Sequence, residues 1–216
     1  MLARPVHEVT RYPGMLIVVE GVSAAGKTTW ASQYAPAVVG EITAPGPAQG
    51  SSAAEIGQYW SDRNAERWQR GLELETAHST ACFDCDPLKV HFAWTQSQVG
   101  RDTRAEWIVT VQAARRHLVN RTIGFADRVV FLEPTGESIR RQKDNDPTRR
   151  RGNFELHMSL YEPLRRWYAT LEALAPGRVV FNGHQVQQRP TTISRPDRYS
   201  VELFDAFIAA MDGHAG

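Results

Sequence analysis

The residues with the clearest chemical potential lie at Gly21–Thr29, where the sequence reads G-V-S-A-A-G-K-T-T after an apolar run, Met15–Val19, that is typical of a buried strand. The glycines let the backbone bend so that its amides converge on an anion, and a helix beginning at Lys27 adds the positive end of its dipole. Lys27 would reach the outer phosphates of ATP, and the Thr28 hydroxyl would bind Mg2+. The residues predicted to bind ATP are Gly21, Ser23, Ala24, Ala25, Gly26, Lys27, Thr28 and Thr29.

Two acids, Asp84 and Asp86, follow the predicted third strand, Thr80 to Phe83. Ligands of open parallel sheets bind at the carboxyl ends of the strands, so acids there would lie beside the phosphate loop. If the strand continues to Asp86, alternation places both side chains on one face. We expect Asp84 to be catalytic and, with Thr28, to bind the metal. Asp86 has two interpretations, which are catalysis and capping of a helix that starts at Pro87.

A cationic segment, Ser138–Asn153, is the third chemical signal, and it contains only two acids, Asp144 and Asp146. Guanidinium groups bind phosphate oxygens in pairs, and phosphoryl transfer spreads negative charge over such oxygens. We therefore expect a lid at residues 138–153 in which Arg140, Arg149 and Arg150 act in catalysis. The alternative is a solvated, charged helix end. The cations of this segment are Arg140, Arg141, Lys143, Arg149, Arg150 and Arg151.

A stretch rich in tryptophan and arginine follows the predicted second strand and is the candidate for binding the phosphate acceptor. Flat aromatic rings suit the stacking of a base, and forked donors suit a phosphate or hydroxyl. The alternative is that tryptophans at helical spacing belong to the core. The predicted acceptor arm covers residues 45–80 and 87–121, and its predicted substrate-binding residues are Trp60, Arg63, Asn64 and Arg67.

The two cysteines, Cys82 and Cys85, are spaced C-x-x-C, with His78 and His91 nearby. A structural zinc site needs four ligands, and the sequence has no second cysteine pair. A thioredoxin-like motif would open a helix after a strand, which this pair does not do. We expect both cysteines to be small apolar residues at the end of a buried strand.

The elements that must position these residues alternate between strand and helix, which predicts an α/β fold with a parallel sheet covered on both faces. Residues 1–14 are expected to be a loose lead-in, and residues 15–216 a single domain. The predicted strands are Met15–Val19, Ala37–Ile42, Thr80–Phe83, Asp127–Leu132 and Arg178–Phe181. The predicted helices are Lys27–Tyr34, Ala53–Thr76, Pro87–Gln98, Thr103–Arg121, Phe154–Leu174 and Val201–Met211.

Composition narrows the functional class. The 216 residues include 25 basic and 24 acidic side chains, so no global positive field points to nucleic acid or to an anionic membrane surface. No apolar run approaches the length of a membrane span, and Met1–Tyr12 is too polar for the core of a signal peptide. We expect a cytoplasmic enzyme, and a homodimer is compatible with the sequence.

Taken in order, these segments resemble the nucleoside and nucleoside-monophosphate kinase family, above all thymidylate kinase and the deoxynucleoside kinases. The resemblance rests on Glu20–Thr29, Thr43–Gly46, Asp84 and Phe131–Arg151. It implies a three-layer P-loop NTPase fold with five parallel strands, an arginine lid over ATP, and an acceptor arm made by the helices after strands two and three. The chain departs from the family in two places. Ala44 replaces the usual Glu before Pro45, and Cys85 replaces the Arg that usually follows the acid after strand three.

Three functions are compatible with these motifs. The first is a kinase that transfers the γ-phosphate of ATP, with Mg2+, to a nucleoside or nucleotide. The second keeps the chemistry but transfers the phosphate to a hydroxyl of a natural product or antibiotic, which the two departures favour. The third is a P-loop ATPase or nucleotide-dependent switch, although the chain has no N-K-x-D motif for guanine. In the first two cases the partner is a small-molecule acceptor, and neither nucleic acid nor a membrane is expected.

The cationic segment predicts a change in hydrogen exchange when nucleotide binds. The cations repel one another until a triphosphate supplies negative charge, so we expect residues 138–153 to be protected by a non-hydrolysable ATP analogue together with an acceptor. Exchange in the predicted helix Val201–Met211 provides the internal control and should stay unchanged. Equal exchange of the cationic segment with and without ligand would leave the arginines as surface charge.

Overall fold

The computed structural model describes residues 14–23, 25–43, 45–133, 136, 140, 159–181 and 197–213. The predicted lead-in before residue 14 lies outside these residues. So does the predicted lid at residues 138–153, with the exception of Arg140. The first part of the helix predicted at Phe154–Leu174, residues 154–158, is also outside them.

The centre of the fold is a five-stranded sheet in the order β2-β3-β1-β4-β5, and every neighbouring pair is parallel. All six residues of the central strand are buried, because strands on either side and helices above and below exclude water from it. The prediction of a three-layer P-loop α/β fold is confirmed. The strands are β1 (Met15–Glu20), β2 (Val38–Val39), β3 (Thr80–Asp84), β4 (Arg128–Phe131) and β5 (Val179–Phe181).

Local sequence signals set where several helices begin. Ser52 and Glu55 form a reciprocal capping box at the start of the longest helix, and Thr103 and Glu106 form another one further along the chain. No described helix is long and apolar enough to cross a membrane. The described helices are α1 (Lys27–Tyr34), α2 (Ala53–His78), α3 (Val90–Gln98), α4 (Arg104–Val119), α5 (Tyr161–Leu174) and α6 (Val201–Asp212).

Two predicted boundaries are wrong in ways that matter for the site. The sequence predicts the second strand over Ala37–Ile42, but β2 covers only two residues, Val38–Val39. The helix predicted from Pro87 begins at Val90, because Lys89 adopts a left-handed conformation with φ of 53° and interrupts the helical backbone.

Asp86 therefore does not cap a helix. Its Oδ1 instead accepts a hydrogen bond from the Leu88 amide at 2.9 Å within a turn. Strand β3 also ends at Asp84, and Cys85 has a left-handed φ of 69°. The alternation that would have placed Asp84 and Asp86 on one face is thus broken between them.

Aromatic side chains fill the space between the sheet and α2. Trp68 is fully buried and stacks on Phe83 of β3 with 5.6 Å between ring centroids. Trp94 and Trp107 are also buried in the core. Trp68 and Trp94 therefore belong to the core, as the alternative interpretation holds, whereas ligand binding by Trp60 stays a prediction.

The core is tightly packed around Gly71 of α2, and this packing predicts the effect of adding a side chain there. A Cβ added at Gly71 would lie 2.1 Å from Cζ of Phe83, whose ring is held in its stack with Trp68. Gly71→Ala should therefore lower the free energy of unfolding by about 1–3 kcal/mol, measured by urea denaturation.

Gly57→Ala in the same helix is the matched control, because its Cβ would meet Val109 Cγ1 at an ordinary 3.9 Å. Alanine is about 1 kcal/mol better than glycine inside a helix, so this variant should be as stable as the parent or more so. Equal losses in the two variants would contradict the packing described for Gly71.

Candidate active site

The loop between β1 and α1 has the shape predicted for phosphate binding. Gly21 has a φ of 148°, and a Cβ there would lie 2.9 Å from the carbonyl oxygen of Leu132, so only glycine fits beside the end of β4. Gly26 is left-handed, with φ of 87°, and forms the N-cap of α1. Glycine has no side chain to occupy the first amides of the helix, which leaves them to an anion.

The side chain of Lys27 folds back over this loop. Its Nζ donates to the carbonyl oxygens of Gly21 at 2.9 Å and Val22 at 3.2 Å. The ammonium group is thus held at the mouth of the loop by these carbonyl oxygens. Its contact with the outer phosphates of ATP stays a prediction. Ser23 and Ala25 lie in the loop and Thr29 is exposed in the first turn of α1, while Ala24 lies outside the described residues.

Thr28 and Asp84 come together as the sequence predicts. Val19 of β1 pairs with Asp84 of β3, and this register brings the end of β3 against the start of α1. The Thr28 hydroxyl donates to Asp84 Oδ2 at 2.6 Å, and Asp84 is only 6% exposed. A hydroxyl and a carboxylate are hard oxygen donors of the kind that Mg2+ binds, and their spacing lets both reach one cation.

Glu41 is the acid that sequence reasoning missed. Its Oε1 lies 2.6 Å from Sγ of Cys85. Among the described residues, Glu41, Asp84 and Cys85 form the one group of three or more His, Cys, Asp or Glu side chains whose potential metal-ligating atoms all lie within 4.8 Å of one another. The signal that could have identified Glu41 is an acid close after the end of β2. Because the sequence predicts a second strand that runs to Ile42, Glu41 falls in its interior rather than at the carboxyl edge.

Both cysteines are buried and neither forms a disulfide. Burial raises the pKa of each thiol, and the charges of Asp84 near Cys82 and of Glu20 near Cys85 raise it further. The thiols are therefore protonated at neutral pH, which agrees with the expectation that they are unreactive.

Arg67 and Asn64 face the protein rather than the solvent. Arg67 is 7% exposed, and its Nη2 donates to the carbonyl oxygens of Asp84 at 2.7 Å and Cys85 at 3.1 Å. Its Nε donates to Gly40 at 2.9 Å, and its Nη1 donates to Asn64 Oδ1 at 3.0 Å. This guanidinium therefore ties the end of β3 to the residue after β2. Substrate binding by Arg67 and Asn64 stays a prediction.

The other two predicted substrate residues are partly exposed on α2. Trp60 packs edge-on against Tyr59, with 5.1 Å between ring centroids. Arg63 pairs with Glu66 at 2.8 Å and lies over the Tyr59 ring. Both can reach a ligand, so their assignment to the acceptor also stays a prediction.

The remaining predicted catalytic residues are Asp86 and the arginines. Asp86 is buried, and its Oδ2 accepts a hydrogen bond from the Tyr168 hydroxyl at 3.3 Å. Burial raises its pKa. Its carboxylate thus contacts Leu88 and Tyr168 rather than Thr28. Arg140 is exposed, whereas Arg149 and Arg150 lie outside the described residues.

Comparisons with known proteins give similarity in structure but not in sequence. No family model matches the chain, and no curated protein matches it. Among solved structures, deoxyadenosine kinase from M. mycoides with bound dATP has 14% sequence identity and a TM-score of 0.47, covering 76% of this chain and 89% of that chain. The same enzyme with products dCMP and dCDP has 13% identity and a TM-score of 0.46, covering 92% of this chain and 100% of that one.

A third structure of that kinase, with bound dCTP, has 13% identity and a TM-score of 0.48 at the same coverages of 92% and 100%. Likeness at this distance does not carry activity from one chain to another, because one fold supports many functions. The chemistry of this chain depends on its own residues.

The contact between Thr28 and Asp84 predicts the effect of neutralising the acid. Asp84→Asn keeps the shape of the side chain but removes the charge that is predicted to hold a cation. We expect ATP turnover to fall about a hundredfold or more, while the affinity for ATP without Mg2+ changes little. Asp62→Asn, which removes an exposed acid on α2, is the control and should retain full activity. An Asp84→Asn variant with most of the parent kcat would show that the carboxylate only holds the strand end.

Proposed function

We propose that this protein is an ATP-dependent phosphotransferase that moves the γ-phosphate of ATP to a hydroxyl of a small molecule, most simply a nucleoside or nucleotide. The observation that carries the proposal is the 2.6 Å contact between the Thr28 hydroxyl and Asp84, beside a lysine that is held over a glycine-rich phosphate loop. This contact supports the proposal, because it would gather phosphate-binding amides, a cation and a metal site at one edge of the sheet.

The donor side of the site orients ATP. The loop amides and the start of α1 bind the phosphates, and Lys27 neutralises charge on the outer ones. Thr28 and Asp84 would hold Mg2+, which supplies neutralisation of the β- and γ-phosphate oxygens. Arg140, Arg149 and Arg150 are proposed to bind the equatorial oxygens of the moving group, because charge accumulates there as the bond to ADP breaks.

Glu41 is proposed as the general base. It is exposed, whereas Asp84 beside it is buried and engaged with Thr28, so Glu41 is the carboxylate that an incoming acceptor can reach. The acceptor hydroxyl gives its proton to Glu41 as its oxygen bonds to the γ-phosphorus, and the bond from that phosphorus to the bridging oxygen of ADP breaks. The products are the phosphorylated acceptor and ADP.

The acceptor is proposed to contact Trp60 and Arg63, which are partly exposed on α2. An aromatic ring beside a guanidinium suits a base or another planar group.

A hydroxylated natural product is the second candidate acceptor, and one observation favours it. The donors of Arg67 already contact protein carbonyl oxygens and Asn64. The residue after Asp84 is Cys85, which has no guanidinium group to offer the acceptor.

The test is transfer of labelled phosphate. The protein is incubated with γ-labelled ATP, Mg2+ and separate panels of nucleosides, nucleotides and hydroxylated natural products, and labelled products are separated by chromatography. We expect one panel to receive label from the parent, and none to receive label from Lys27→Ala, because the phosphate-binding cation is lost. Release of inorganic phosphate alone, at a rate that no acceptor changes, would contradict the proposal and favour an ATPase.

The proposed base generates a separate kinetic prediction. Glu41→Gln keeps the size of the side chain but cannot take a proton, so kcat should fall about a hundredfold or more while the KM for ATP stays near the parent value. Glu73→Gln, an exposed acid elsewhere on α2, is the matched control. Parent-like kcat in Glu41→Gln would remove Glu41 from the mechanism.

A further inference from the structure

Four buried titratable side chains lie behind the phosphate loop, and the reaction proposed above uses none of them directly. They are gathered from four parts of the fold: the end of β1, the turn after β3, helix α3 and helix α5. Acids, imidazoles and phenols are costly to bury without partners, so such a cluster needs a physical reason. Its members are Glu20, Asp86, His91 and Tyr168.

Glu20 makes the contacts that join this cluster to the site. It is 2% exposed, and its Oε2 accepts a hydrogen bond from the Gly21 amide at 3.1 Å. Its Oε1 accepts one from the Asp86 amide at 2.8 Å and lies 3.4 Å from Nε2 of His91. One carboxylate thus binds the first residue of the phosphate loop and the turn that follows Asp84.

The backbone of Glu20 makes a third connection. Its carbonyl oxygen accepts a hydrogen bond from the Leu132 amide at 2.8 Å, just after the end of β4. Glu20 therefore contacts the segments that follow three neighbouring strands, β1, β3 and β4. These are the segments whose relative position sets the width of the phosphate site.

The electrostatics around Glu20 favour its charged form. Burial acts to raise its pKa, but His91, Lys27, Lys89 and the Asp86 amide outweigh burial and hold the pKa below its usual value. An ionised carboxylate has acceptor capacity on both oxygens, so it can receive the Gly21 and Asp86 amides together. A glutamine has one acceptor oxygen and one donor amide, and can satisfy only one of them.

We propose that Glu20 is a positioning residue for phosphoryl transfer, which clamps the phosphate loop to the Asp84–Asp86 segment so that Thr28 and Asp84 share one cation. The inference rests on the proposed function, because its consequence is the placement of the metal of ATP. His91 supports the clamp by contacting the same carboxylate oxygen that binds the Asp86 amide. A shift of the clamp moves Asp84 relative to Thr28 without touching either side chain.

The test compares Glu20→Gln with a matched variant at a different carboxylate of the fold. Glu75 is also a largely buried carboxylate, 15% exposed, and its two oxygens accept hydrogen bonds from Arg198 at 2.5 and 2.9 Å. Both Glu20→Gln and Glu75→Gln should lower Tm. Only Glu20→Gln should weaken the binding of Mg2+ and ATP together and lower kcat, each by about tenfold or more, because misplaced reacting groups are costly. Parent-like kinetics in Glu20→Gln, or equal kinetic losses in both variants, would overturn the proposal.

A double-mutant cycle separates positioning from general support of the fold. If Glu20 acts through the placement of Asp84, Glu20→Gln should cost far less in an Asp84→Asn background than in the parent. Additive losses in kcat and in Mg2+-dependent ATP affinity would overturn the proposal. If Glu20→Gln does not fold, His91→Gln, which removes the ring beside Glu20, replaces it in the same cycle with the same criterion.

The two proposals fail in different ways. Mg2+-dependent ATP affinity, measured by calorimetry, needs no acceptor and no turnover. Loss of the coupling between Glu20 and Asp84 in that measurement rejects the clamp even if the parent transfers phosphate. Preserved coupling in a parent protein that transfers no phosphate rejects the kinase and leaves the clamp standing as part of a nucleotide-binding site.

Discussion

The hydrogen bond between Thr28 and Asp84 is the contact on which the proposed chemistry depends. It joins the first turn of α1 to the end of β3 at 2.6 Å, and the parallel pairing of Val19 with Asp84 makes it geometrically available. Moving β3 by one residue would turn the carboxylate to the other face of the sheet, because side chains alternate along a strand. The register of two buried strands thus decides whether Thr28 and Asp84 can share the proposed metal ion.

Two buried polar side chains from different elements form hydrogen bonds around that contact. Arg67 binds the carbonyl oxygens at and after the end of β3, and Glu20 binds the amides of Gly21 and Asp86. Removing these charges from water costs free energy even where hydrogen bonds satisfy them, so their concentration at one end of the sheet lowers stability. The apolar strands and the stack of Trp68 on Phe83 offset this cost through burial.

The sequence predicts those parts of the site that depend on local pattern. The glycine spacing specifies the phosphate loop, and the strand-end rule places Asp84 beside Thr28. Glu41 escapes detection because β2 is a two-residue edge strand, too short for its periodicity to mark where it ends. The orientation of Arg67 could not be predicted either, since a helical pattern does not say which carbonyl groups a long side chain will meet.

The most direct measurement of metal binding at this site is calorimetric titration of the protein with ATP, in the presence of Mg2+ and in the presence of EDTA. If Thr28 and Asp84 bind the metal of ATP, the parent should bind more tightly with Mg2+, by about tenfold or more, and Thr28→Val should lose most of that difference while retaining its affinity in EDTA. Affinity in the parent that is the same with and without Mg2+, or a Thr28→Val variant with the full difference, would contradict the assignment of Thr28 and Asp84 to the metal.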